Sequence, residues 1–188
     1  GKTSDPFASA VRTTRMPMVI TDPRQPDNPI VFCNDAFCKL TGYEREEILG
    51  RNCRFLQGPT SRSDDVARIR QAIERREGIQ IDLLNHRKDG TTFWNALLIS
   101  PVFDEGELTF FFASQLDVTE RKRAEEHRFL LNRELDHRVK NTLATVQSVV
   151  LQTLRDASVP EHVASSVTGR LRALARSHDV LTAEAWAS

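Results

Sequence analysis

Apolar residues along this chain follow two rhythms, and the change between them falls near residue 117. Before it, short β-branched and aromatic runs alternate with turn residues. "MPMVITD" and "PIVFCN" read as two short strands separated by the turn-rich "PRQPDNP". "NDAFCKLTGYEREEILG" predicts short helices, opened at Asn34 and again near Tyr43, and stopped by Gly50. From Ser63 to Glu77, Val66, Ile69, Ala72 and Ile73 recur at helical spacing with arginines on the outer face. "GIQIDLLNHRK" and "TTFWNALLISPVF" read as strands joined through "KDGT", where Asp-Gly signals a hairpin, and "LTFFFASQLDV" follows the turn "DEGE". Two early strands, intervening helices and three late strands predict an α+β domain with an antiparallel sheet covered by helices on one face.

After residue 117 the grammar is helical. Proline and glycine are absent from Asp117 to Ala157, and charges alternate in sign. Leu135, Val139, Leu143, Val146, Val150 and Leu154 recur at three- and four-residue steps and form one stripe. "SVPEH" interrupts it, and Val163, Val167, Leu171, Leu174 and Leu181 line a second helix from about Glu161 to Ala183. Neither helix can bury its stripe alone. An all-α hairpin is expected, paired with a second copy as a homodimeric four-helix bundle. The expected division is an N-terminal extension (1–16), the α+β domain (17–118), a helical linker (119–134) and the hairpin (135–188). At about 100° per residue, His137 projects roughly 150° from the centre of the stripe, so it is no core histidine.

Composition narrows the function. A length of 188 residues accommodates one domain of about 100 to 120 residues plus an appended element. Twenty-six basic and 26 acidic residues cancel, which argues against a nucleic-acid or anionic-membrane partner. No apolar run reaches the roughly 18 residues of a membrane span, and the start lacks a signal peptide's apolar core, so a cytoplasmic protein is expected. Three cysteines (Cys33, Cys38, Cys53) are too few for a disulfide framework and lack the partners of a zinc site; no metal is expected. Cys33 and Cys38 have the apolar neighbours of packing residues. Cys53, in "GRNCRFLQGP", has not.

A second irregularity accompanies it. Asn85, Asn95 and Gln115 fall on three successive strands, where an unpaired buried amide costs about 1 to 3 kcal/mol. Their donors and acceptors suit the edge of a planar heterocycle, and Arg54 and Arg70 suit a phosphate. With these residues in view, 17–119 resembles a light-oxygen-voltage (LOV) domain, a flavin-binding branch of the PAS fold. "GRNCRFLQG" matches that family's motif, and "VITDPRQPDNPIVFCNDAFCKLTGY", "IRQAI", "LLNHRKDGTTFWN" and "SQLDVTE" follow in its order. The resemblance implies a five-stranded antiparallel PAS sheet and a flavin, FMN in preference to FAD or riboflavin. It implies that Cys53 forms a photoadduct at the isoalloxazine C4a carbon under blue light. It places Asn52 and Gln57 near the flavin, Arg54 and Arg70 on the ribityl phosphate, Asn85 and Asn95 on the pyrimidine edge, and Gln115 opposite N5. Val19, Thr21, Leu56, Val66, Ile69, Ile73, Leu97, Ile99 and Phe111 become the wall. The family often has glycine shortly before the strand glutamine where this chain reads "FFAS", a departure expected to tune kinetics.

The hairpin carries its own resemblance. "HRVKNTLATVQS" is similar to the phosphoacceptor box of HWE-type sensor histidine kinases, and "GRLRALARSHDVLT" to the second helix of their dimerization and phosphotransfer hairpin. This implies His137 as phosphoacceptor, with Arg138, Lys140 and Asn141 orienting phosphate or a docked domain and His178 in a structural or docking role. His86, His127 and His162 read as surface residues. No glycine-rich nucleotide lid follows, so ATP is expected to be used by a catalytic domain outside this chain, and a response regulator to receive the phosphate. Two other readings stay open: a non-catalytic photosensor whose helices mediate light-dependent dimerization or partner binding, and a flavin redox enzyme, for which no nicotinamide-binding motif is present.

Overall fold

A computed structural model describes residues 11–187, with the side chains of 178–187 outside the description; His178 and Leu181 therefore lie beyond it, as does most of the N-terminal extension. Five strands, β1 (Met18–Thr21), β2 (Ile30–Cys33), β3 (Ile79–His86), β4 (Thr92–Asp104) and β5 (Glu107–Asp117), form one antiparallel sheet in the order β2-β1-β5-β4-β3. Between β2 and β3 run α1 (Asp35–Thr41), α2 (Arg45–Ile48), a 3₁₀ turn (Cys53–Leu56) and α3 (Ser63–Glu74). This is the expected α+β fold. Side chains alternate along a strand, so the pairings Leu83↔Asn95, Leu97↔Gln115 and Ile99↔Ala113 bring amides and apolar groups onto one buried face. Val19, Ile30, Phe37, Ile48, Leu56 and Phe111 complete the core beneath it.

Local chemistry fixes the helix ends. Asn34 caps α1 and is fully buried: its Oδ1 accepts from Phe37 N (3.1 Å) and Met18 N (3.0 Å), and its Nδ2 donates to Met16 O (2.8 Å) and Val11 O (3.3 Å). One side chain thus ties the entering segment, β1 and α1 together. Asn34→Ala should cost about 2 to 4 kcal/mol, a lost cap plus stranded backbone groups. Urea unfolding checks this, and a loss below about 1 kcal/mol would contradict it. The third helix stops at Glu74, short of the expected Glu77, because Arg76 turns left-handed (φ 58°). Arg76 N and Glu77 N then donate to Ile73 O and Ala72 O, a Schellman ending.

After β5 the chain enters α4 (Thr119–Asp156), followed by α5 (Glu161–Ala187). The fourth helix is continuous, with no break at the expected linker boundary near residue 134. Its start is anchored: Asp117 Oδ1 accepts from Thr119 N, Val118 N donates to Trp94 O, and Trp94 N donates to Thr119 Oγ1. Lys122 pairs with Asp82 at 2.8 Å and lies over the Trp94 ring. The sheet unit extends to Arg123, and the helices from Ala124 onward form a second unit. Within the second unit no described side chain is buried. Val139, Leu143, Val150 and Leu154 are half-buried, while Leu135, Val146, Val149 and Leu174 stay exposed. No helix among the described residues is long and apolar enough to cross a membrane.

Candidate functional site

Between the inner sheet face and the helices lies a cavity of about 110 Å³. Its lining gathers Cys53, Asn52, Arg54, Leu56 and Gln57 from the 3₁₀ turn and its flanks, and Ile69 and Ile73 from α3. The sheet supplies Thr21, Asn85, Asn95, Leu97, Ile99, Phe111 and Gln115. Three sequence candidates lie elsewhere. Val19 is fully buried in the core, Val66 is half-buried in the first turn of α3, and Arg70 faces solvent; none lines the cavity. Four lining residues carried no functional reading from sequence: Asn28, Phe37, Leu83 and Ala113.

The cavity's electrostatics are unusual. Four buried oxygens on its wall have no hydrogen-bond partner among the described residues: Thr21 Oγ1, Asn28 Oδ1, Asn95 Oδ1 and Gln115 Oε1. Each such group is costly unless something satisfies it. Asn95 Nδ2 donates to Asn85 Oδ1 (2.9 Å), and Asn85 Nδ2 donates to Leu56 O (3.3 Å). That chain locks both amides and leaves Asn95 with a spare acceptor. The wall combines apolar Leu56, Ile73, Leu97 and Phe111 with these amides, a mixture that suits a flat heterocycle with polar edges and apolar faces.

The thiol sits in an acid-suppressing place. Burial pushes Cys53 up to about 12, so it holds its proton at neutral pH. The segment that follows is pinned to β3: Gly58 N donates to Ser61 Oγ, Ser61 Oγ to Leu84 O (3.4 Å), and Thr60 Oγ1 meets His86 Nε2 at 3.0 Å. A Cβ on Gly58 would lie 2.6 Å from the His86 ring, so any other residue here would have to displace that ring. His86 is therefore a packing brace, which corrects its reading as a surface residue. Arg54 also has a closer partner than expected. Its guanidinium makes two 2.6 Å bonds to the Asp27 carboxylate, while Asn52 Nδ2 donates to Asp27 O (2.7 Å). Asp27 and Asn28, both left-handed (φ 67° and 47°), bring the 22–29 loop over this side of the cavity.

In the helical unit His137 is exposed, as its position off the stripe predicts. Two ion pairs flank it on the same helix, Arg138–Glu134 at 2.8 Å and Lys140–Asp136 at 3.0 Å. His127 and His162 are also exposed.

Comparison with known proteins agrees with this geometry. Residues 15–120 match the PAS domain family and residues 134–188 the HWE histidine kinase family. A blue-light-activated histidine kinase of Rhizobium johnstonii is 49% identical over 185 residues, spanning 95% of this chain and 52% of that protein. Blue-light-activated histidine kinase 1 of Erythrobacter litoralis is 42% identical over 177 residues, with 92% and 49% covered. Among solved structures, a light-oxygen-voltage domain studied with a flavin analogue is 43% identical, with a TM-score of 0.59, covering 71% of this chain and 98% of that one. The LOV domain of an E. litoralis blue-light activated histidine kinase is 39% identical, with a TM-score of 0.54, covering 55% and 96%. The chain belongs to the PAS family, in its light-oxygen-voltage branch, and carries an HWE histidine kinase region after it. It spans about half the length of the curated relatives it matches.

Proposed function

We propose that this chain is the light-sensing and phosphoacceptor part of a cytoplasmic blue-light-activated histidine kinase that holds FMN in the cavity. One observation carries the reading: a proton-bearing cysteine and four unsatisfied buried oxygens line the same cavity. Asn95 and Thr21 would bind the ring's polar edge, Asn52 and Gln57 the sugar-like chain, and Arg54 the phosphate after parting from Asp27. When bound, a flavin supplies absorption of blue light and an excited ring that accepts a thiol's proton and sulfur.

The protein's residues do the rest. Cys53 keeps its proton in darkness, because the thiolate is the reactive form and burial disfavours it. With the flavin bound, Cys53 Sγ would be the group that supplies the proton and the sulfur on illumination. Gln115 lines the cavity with an amide whose two ends have opposite hydrogen-bond character, so it would reorient if a bound ring exchanged an acceptor for a donor beside it. Its backbone N donates to Pro17 O (2.9 Å), and two residues later Asp117 holds Thr119 at the start of α4 and pairs with Arg87 at 2.7 Å. The last strand thereby connects the cavity to the helix. We assign 17–118 to the photosensor, 119–134 to signal transmission and 135–188 to a hairpin that dimerizes, presents His137 and passes its phosphate to a response regulator.

The test supplies the FMN-loaded chain with ATP and a separate kinase catalytic domain of the HWE class. Phosphate incorporation should differ severalfold between darkness and blue light. Gln115→Leu should still bleach but bring the light-to-dark ratio close to one, and an undiminished ratio would remove Gln115 from the pathway. A chain that bleaches yet takes up no phosphate would favour a non-catalytic photosensor.

A further inference from the structure

The photochemistry above uses only one of the three cysteines. The other two pack in and against the core, as their apolar neighbours predict, and also meet each other. Cys33, the last residue of β2, is buried, and Cys38, one turn into α1, is half-buried; their sulfurs lie 3.9 Å apart. Cys38 opens onto a surface cleft shared with Tyr43, Glu44 and Arg45. The Arg45 guanidinium bonds Asp35 through Nη2 and also interacts with the Cys33 thiol, favouring that sulfur's anion. A thiol pair, an entry cleft and a guanidinium occupy one corner of the domain.

We propose that Cys33, Cys38 and Arg45 form an oxidation site, at which a peroxide joins the two thiols in an intramolecular disulfide. The accessible Cys38, as its thiolate, attacks one oxygen of hydrogen peroxide; the O–O bond breaks and the departing hydroxide takes the thiol's proton as water. Cys33 then attacks the Cys38 sulfenic sulfur, the S–O bond breaks, and that hydroxide leaves as a second water carrying the Cys33 proton. Two thiols and one peroxide become one disulfide and two waters, with two electrons passing from sulfur to oxygen. Arg45 favours the anion of the attacking Cys33 sulfur, against burial first and the neighbouring Cys38, which push that thiol up to about 11. Closing the bond draws the sulfurs together by about 2 Å, a distance that side-chain rotation and a small shift of α1 supply.

Phe37 stands between the two cysteines in sequence, is almost fully buried, and lines the cavity. The bridge therefore moves a cavity wall, which makes the light response sensitive to peroxide. This consequence, unlike the oxidation itself, rests on the flavin reading.

The FMN-loaded chain is treated in the dark with hydrogen peroxide, blocked with N-ethylmaleimide and digested with trypsin without reduction. Both cysteines fall in the tryptic peptide 25–39, so the bridge appears as that peptide unlabelled and two hydrogens lighter, restored by dithiothreitol. Arg45→Gln should form it about threefold more slowly, the net of a lower thiolate fraction and a higher intrinsic nucleophilicity. Peroxide that leaves Cys38 at a sulfenic or sulfinic state with Cys33 still labelled, or that links two chains instead, overturns the proposal. Dark recovery of the oxidised, illuminated chain should shift by about twofold or more, because close-packed walls transmit such movements. An unchanged recovery rate would sever the site from the light response, while the peptide mass reads the oxidation alone.

Discussion

Cys53→Ala should leave the chain yellow and insensitive to light: FMN stays bound, and the blue band no longer bleaches. Among the described lining residues the substitution removes the only group able to donate both a proton and a sulfur, so the loss should be complete. The rest of the wall is untouched, so FMN affinity should change by less than about threefold, under ~1 kcal/mol. Absorbance before and after illumination, with a flavin titration, measures both. A bleaching band in the alanine variant would mean that another residue reacts. The acidity of Cys53 adds a check with a definite sign. In the fold, burial pushes this thiol from the free thiol's 9.0 up to about 12. Between those two values the folded chain holds a proton that the unfolded chain has lost. Stability from this group therefore falls as pH rises through that window and is flat below it. Wild type should lose stability there faster than Cys53→Ala.

His137→Ala should abolish phosphate uptake from a supplied kinase catalytic domain, by at least about a hundredfold, without altering bleaching. An exposed histidine on a helix can be replaced by alanine at little cost, within about 0.5 kcal/mol, so the loss would be chemical. Imidazole is nucleophilic at neutral pH and forms an N–P bond labile enough for onward transfer to an aspartate. His127→Ala and His162→Ala serve as controls and should retain full uptake. Acid-labile phosphate found on either of them in the His137 variant would displace His137 from its assigned role.

Much of the site was legible because it breaks local rules. Asn85, Asn95 and Gln115 interrupt the apolar face of strands, and Cys53 sits among polar neighbours, so each stands out against its surroundings. The missed residues obey theirs. Phe37 and Leu83 look like any core side chain, and Ala113 offers only its smallness, which lets a ligand approach the sheet. Asn28 belongs to a proline-rich turn, where asparagine is ordinary. Only the folded loop, with two successive left-handed residues, reveals its carbonyl buried at the cavity. Arg54 was readable as a cation, but its Asp27 partner is 27 residues away and reaches it through loop geometry that has no periodic signal. Val66 shares the helical spacing of Ile69 and Ile73 yet sits in the first turn, outside the cavity wall. Periodicity identifies a face but not how far along the helix that face stays covered. The continuity of α4 across residue 134 had a sequence cause, the absence of any glycine or proline from 117 to 157, even though function suggested a boundary.

The central claim is that light drives the residue-53 sulfur onto a chromophore held by these amides. Its most direct measurement is the absorption spectrum of the wild-type chain loaded with FMN, recorded in darkness, after blue light and during return to darkness. The account predicts that the blue band falls on illumination and returns in the dark. A chain that binds FMN but keeps its band unchanged under blue light would contradict it.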